Sequence, residues 1–240
     1  MDAILKSFFD FLISALWIIL PTLFLLIFLD VWLFYRRTRY INSFVWKVFE
    51  IKIPKTVIKG PKSMEYFFSV MHGTYSAGIT FWEKWWGGKI EHWHSFEMIG
   101  QAGSVNFYVR IQEGYKNLIE SAIYSQYPDA EINEVQDYVG YFPPNLPDET
   151  YDVWGTDFIL AREDGYPILT YPNFEEPGKV DEERRIDPIS TFAEVMSNLK
   201  ESEGIWFQIL IRPVNDACKK KAEALRDDLL GKKKPPTRNF

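Results

Sequence analysis

The chain has 240 residues, room for one large or two small domains, with 47% hydrophobic, 25% charged and an unusually high 17% aromatic content. A net charge of −6 argues against nucleic acid as a general partner, although the charge is unevenly spread. Cys218 is the only cysteine, which excludes a disulfide framework and a thiolate metal site; at its helical spacing it is expected as a small apolar filler.

Residues 11–29, FLISALWIILPTLFLLIFL, hold nineteen positions without a charge between Asp10 and Asp30. A helix of that length rises about 28 Å, close to the ~30 Å hydrocarbon core of a bilayer. Pro21 is tolerable in lipid and is expected to kink the helix, and Trp32 and Tyr35 follow at the expected interface. A signal-peptide core would be shorter, and no small-x-small cleavage site follows, so residues 1–40 are expected to be an uncleaved anchor with a basic flank. Lys6 is the only base before the span, whereas Arg36, Arg37, Arg39 and Lys47 follow it, with Lys52, Lys55, Lys59 and Lys62 behind. Between 36 and 62 these eight bases oppose one acid, Glu50. The positive-inside rule then predicts a single-pass protein of the inner membrane with its N-terminus outside and the rest cytoplasmic. The same basic stretch suits an anionic leaflet, making membrane lipid an expected partner.

Beyond the span the pattern is α+β. Residues 49–58, FEIKIPKTVI, are strand-like, but Pro54 restricts them to an edge. Residues 61–75 run helical, with Met64, Phe67, Phe68 and Met71 on one stripe. A strand is expected over 92–100, a tight turn at Ala102–Gly103, and an alternating strand over 104–111. A helix over 114–127 follows, with Tyr115, Leu118, Ile119, Ala122 and Ile123 on its stripe, then a strand over 130–135. This β-α-β-β-α-β order predicts a ferredoxin-like split unit over 48–140.

After the proline-rich connector YFPPNLPDE (141–149), strands are expected at 152–162 and 166–171, hinged at Glu163-Asp164-Gly165. Asp187 and Pro188 then cap a helix whose stripe is Phe192, Val195, Met196 and Leu199. A strand over 205–212 and a helix over 216–230, ended by Gly231, complete a second, similar but incomplete unit over 150–230. Residues 231–240 read as a basic, proline-containing tail or linker. The helix-then-strand stretches from Ser63 and from Thr191 look like one element used twice.

His92 and His94, two apart on a strand, share a face, and His72 is the cheapest third ligand for a metal. Glu97 faces away and Glu91 lies off their face, so zinc would lack a full ligand set. Phe81, Trp82, Trp85, Trp86 and Trp93 are suited to stacking single-stranded nucleic acid, but their local charge is neutral where that mechanism wants a basic groove. Trp82, Trp85 and Trp86, with Arg36, Arg37 and Arg39, are therefore expected to dock a membrane or partner. Residues 129–183 carry fifteen Asp and Glu against Arg162 and Lys179, a solvated acidic face. The sequence contains no G-x-x-x-x-G-K-[ST], G-x-S-x-G, H-E-x-x-H or G-x-G-x-x-G, so neither an enzyme nor a cofactor is expected.

The stretches SFEMIGQAGSVNFYVRIQEGYKNLIESAIYSQYPDAEINEVQDY (95–138), YDVWGTDFIL (151–160), DGYPILTYPNFE (164–175) and DPISTFAEVMSNLKESEGIWFQILIRPV (187–214) resemble one family. It comprises the N-terminal regions of large conjugative-transfer, type IV secretion-like membrane proteins of candidate-phylum bacteria. There a transmembrane segment precedes a domain of unknown function, and a P-loop ATPase follows in many members. The resemblance covers most of 40–230 and implies a non-catalytic, membrane-anchored assembly module, truncated or encoded apart from its ATPase. It implies self-association, or a conjugation-type ATPase or other secretion component as partner; direct nucleic-acid contact is not expected, on the charge balance. The rival expectations are a metal-dependent enzyme built on His72, His92 and His94, and a single-stranded nucleic-acid module built on the tryptophans.

Overall fold

The structure, a computed structural model, describes residues 2–54, 60, 62–76, 78–163, 165–166, 168–170 and 189–232, with side chains from residue 15 onward. Two compact units emerge: Met1–Phe44 with Ser76–Glu91, and Val45–Tyr75 with His92–Phe240.

The first unit is built on α1 (Asp2–Ile41), which runs through Pro21. Pro21 lacks an N–H to donate, and the next residue adds a side-chain bond, Thr22 Oγ1 donating to the Ile18 carbonyl at 2.7 Å. Within α1, Ala15–Ile41 is long and apolar enough to cross a membrane. Large apolar side chains from Leu16 to Phe28 are exposed along it. The other part of this unit, residues 76–91, contains a single π-helical turn, Glu83–Gly87.

The second unit combines helices with an antiparallel sheet. Its strands are β1 (Trp46–Lys52), β2 (His94–Gln101), β3 (Ser104–Gln112), β4 (Glu131–Val135) and β5 (Gly204–Ile211), in the order β4-β1-β3-β2-β5. Every neighbouring pair is antiparallel. The β2–β3 hairpin closes at Ala102 and Gly103, with φ of 48° and 77°, which matches the strong twist of a two-residue turn. Alternate residues Phe49, Phe96, Val109 and Ile111 point to one face, where α2 (Ser63–His72) and α3 (Lys116–Gln126) bury Phe67, Met71, Ile119, Ala122 and Ile123 against them. Phe68 and Leu118, expected on the same stripes, are exposed.

Several expectations are corrected. β1 is not an edge strand: it lies between β4 and β3 and ends at Lys52, so Pro54 stands beyond the ladder whose N–H it could not supply. The strand expected over 152–162 does not form, and none forms among the described residues of 166–171. The strand of the expected second unit, β5, pairs with β2, so both halves of the sequence contribute to one sheet. On α4 (Ser190–Ser197) only Met196 is buried, while Phe192 and Val195 are exposed. Gly100 explains the close seating of that helix: a Cβ there would lie 2.5 Å from the Met196 Cβ. Cys218, on α5 (Ala217–Leu229), is exposed and fills no core. Gly231 ends α5 as expected, at φ 65°, with Lys232 N–H reaching back to the Asp227 carbonyl. Asp187, Pro188, Lys55, Lys59 and residues 233–240 lie outside the described residues.

Candidate functional site

The aromatic cluster acquires its order from a local signal. Thr80 and Glu83 form a reciprocal cap: Thr80 N–H donates to Glu83 Oε2 at 2.9 Å, and Glu83 N–H to Thr80 Oγ1 at 3.3 Å. Lys89 Nζ adds a bond to Glu83 Oε1 at 2.9 Å. The Thr80 backbone amide, and then Lys89, hold the Glu83 carboxyl down at about 2, and the same pairing raises Lys89. The turn so capped is fastened to α1, with Trp32 Nε1 donating to the Trp85 carbonyl at 2.9 Å. Gly88, at φ 69°, brings the chain against the helix where a Cβ would stand 2.2 Å from the Arg36 carbonyl oxygen. Ser76 N–H donates to Glu91 Oε2 at 3.1 Å, tying the two ends of the segment together.

The result is an aromatic and basic collar. Trp32 and Trp85 are half-buried in it, with the Arg36 guanidinium 5.8 Å from the Trp32 ring centre. Phe81, Trp82 and Trp86 remain exposed, the last two with ring centres 4.9 Å apart. Arg37 and Arg39 are exposed beside them in sequence on α1. Of the six residues expected to dock a membrane or partner, the structure therefore brings Trp82, Trp85, Trp86 and Arg36 into one cluster. Trp32 is expected at the interface, but its bond to Trp85, the approach of Gly88 and the Thr80–Glu83 cap are not among the sequence expectations. The T-x-x-E spacing at 80–83 was the available signal for the cap; nothing in the sequence marks the tertiary approach of Gly88.

The histidines have other surroundings. His94 is fully buried at the start of β2, its Nε2 3.5 Å from Thr74 Oγ1. Burial, and then the neighbouring His92, pull its pKa down from 6.5 to about 4. The rings of His92 and His94 both meet Tyr115 edge-on, each with centres 5.3 Å apart. His72 Nε2 lies 3.1 Å from the Val214 carbonyl. Among the described residues no group of three His, Cys, Asp or Glu side chains is placed to hold a metal.

The opposite face of the sheet carries a polar relay that is buried at Glu97 and Tyr138. Gln208 Nε2 donates to the Tyr138 hydroxyl at 2.9 Å, and that hydroxyl donates to Glu97 Oε2 at 2.6 Å. Burial first, and the Glu97 carboxylate second, raise the Tyr138 hydroxyl well above its ordinary value, so it stays a donor. Tyr138 packs edge-on to Trp206, which Phe142 also meets, so the chain after β4 is held across β2 and β5. On the helix-bearing face an apolar cavity of about 830 Å³ opens over the sheet, lined by Phe67, Met98, Phe107, Ile123, Phe192 and Ile209 among others. Glu50 and Lys52, ion-paired at 2.9 Å, also line it. Comparison with family models, curated proteins and solved structures finds no match to this chain.

Proposed function

We propose that this chain is a non-catalytic, membrane-anchored assembly and docking module of a conjugation-like, type IV secretion-related transfer system. In this reading α1 crosses the inner membrane once with the N-terminus outside, and the sheet unit works in the cytoplasm. The observation that carries it is the collar. An apolar helix ends at Trp32, Tyr35, Arg36, Arg37 and Arg39, and a second segment is pinned there that presents Phe81, Trp82 and Trp86. Amphipathic rings and cations at the end of an apolar span favour the headgroup layer, and bases favour the cytoplasmic side. The fold is read as a ferredoxin-like split unit, β1-α2-β2-β3-α3-β4; the strand order β4-β1-β3-β2 and the packing of α2 and α3 on one face support it. The transfer role rests on the resemblance of 95–138 and 187–214.

The test is isolation of the full chain from membranes after crosslinking. A P-loop ATPase of the conjugation class is expected to co-purify, with the chain itself in multimers. A monomer with no such ATPase, or a chain that alkaline carbonate washes off the membrane, overturns the reading.

A further inference from the structure

Two features of the sheet unit are incomplete in complementary ways. The first is β5. It stands at the edge of the sheet, and its residues, GIWFQILI, include no charge and no proline. These are the devices that ordinarily blunt an exposed edge. Its side chains are exposed on both faces: Ile205 and Ile209 on one, Trp206 and Leu210 on the other. The second feature is residues 152–160, DVWGTDFIL, which join no helix or strand. Trp154 is 85% exposed, Phe158 80% and Ile159 89%, an apolar display with no cover among the described residues. Their alternation, Trp154, Thr156, Phe158 and Leu160 against Val153, Gly155, Asp157 and Ile159, is that of a strand.

We propose that residues 152–160 of one copy add as a strand to the open edge of β5 in a second copy. The match is specific in one antiparallel register, which sets Asp152 opposite Arg212, Trp154 opposite Leu210, Thr156 opposite Gln208, Phe158 opposite Trp206 and Ile159 opposite Ile205. An ion pair, an aromatic pair and apolar pairs coincide there; Asp157 opposite Phe207 is the mismatch. Covered aromatic side chains account for on the order of 150–250 Å² each. On that scale Trp154, Phe158 and Trp206 together contribute at most about 450–750 Å², and the aliphatic side chains of Ile159, Ile205 and Leu210 add to it. A one-way contact joins two different surfaces, so its repetition builds a ring or a filament, whereas reciprocal exchange closes a two-fold dimer. The inference deepens the assembly reading by naming the partner as a second copy and the contact as strand addition.

The experiment uses the full chain in membranes on a Cys218→Ser background, which removes the native thiol. Gly155→Cys and Ile209→Cys are directly opposed in the stated register, and no atom lies within 4 Å of where a Cβ at Gly155 would stand. The two variants are co-expressed with different tags and oxidised. A disulfide-linked product bearing both tags is expected. It is lost when the acceptor also carries Leu210→Asp, and Ile205→Cys in place of Ile209→Cys does not reproduce it. Absence of the mixed product overturns the proposal. So does a Gly155→Cys/Ile209→Cys double variant that closes its disulfide within one chain, since that outcome assigns the segment to its own β5. Either failure leaves co-purification of the ATPase to be read separately, so loss of the strand contact and loss of the assembly reading are distinguishable.

Discussion

Gly88 approaches α1 so closely that a methyl group on its α-carbon would sit 2.2 Å from the carbonyl oxygen of Arg36. Its φ of 69° adds a second constraint, since an L-residue pays roughly 1–2 kcal/mol in the left-handed region. Gly88→Ala is therefore expected to release residues 81–91 from the helix. Limited trypsin digestion checks this: cleavage after Lys84 and Lys89 accelerates in the variant. Gly87→Ala is the control, because nothing lies within 4 Å of its Cβ position, and its cleavage rate stays near that of the parent chain.

His94 predicts a pH dependence of stability. The folded chain binds its proton near 4 and the unfolded chain near 6.5, so the unfolded state holds more protons between those values. Stability from this group is full above about pH 6.5 and falls as the pH drops toward 4, by at most about 1.4 kcal/mol per unit. Urea unfolding at pH 7.5 and pH 5 reads it out. His94→Gln, whatever its cost at pH 7.5, is expected to lose less stability than the parent between the two.

Tyr138 holds the Glu97 carboxylate, which is only 4% exposed. Tyr138→Phe keeps the ring contacts and removes the donor, leaving a buried charge short of a partner at a cost of about 1–3 kcal/mol. A lowered urea midpoint with an unchanged slope is the expected result. An unchanged midpoint would mean that the relay contributes nothing to holding the chain after β4 across the sheet.

On α4, Met196 is 1% exposed and Val195 half-exposed, although both lie on the stripe read from the sequence. Met196→Ala is expected to cost about 2–4 kcal/mol, and Val195→Ala under about 1 kcal/mol. Thermal unfolding followed by near-ultraviolet dichroism separates the two. Gly100→Ala belongs with the severe class, because its new methyl group meets the Met196 side chain.

The exposed Cys218, the only thiol, reports on topology. If the sheet unit lies in the cytoplasm, as proposed, a membrane-impermeant maleimide labels it only after the membrane is opened. On the same proposal, replacing Arg36, Arg37 and Arg39 together by Gln is expected to raise labelling in intact spheroplasts, because bases on the cytoplasmic flank would bias the orientation. Full labelling of the parent chain in intact spheroplasts would reverse the proposed topology.

The elements of the first sheet strands and helices were legible because local chemistry and burial agree there. Val109 and Ile111 alternate with Tyr108 and Arg110, and Ile119, Ala122 and Ile123 share one helical face, and each apolar set meets the core. The stretch 152–160 misled for the opposite reason. It alternates as a strand does, but a strand exists only where a second backbone supplies its hydrogen bonds, and among the described residues none is alongside it. The central place of β1 was hidden too, since Pro54 marks where a strand must stop without telling which neighbours it has.

By itself, the sequence determined a long apolar helix with bases after it, the order of β1 to β4 with α2 and α3, and the composition of the aromatic cluster. These follow from period, charge and turn chemistry, which act between residues close in the chain. Tertiary structure alone decided that β5 closes on β2, that Tyr138 meets Glu97 across 41 positions, and that Trp32 meets Trp85 across 53. Such contacts depend on which surfaces fit at close range in space. Gly88 carries that distinction in a single residue: the sequence shows only a glycine, and the space that demands it belongs to Arg36.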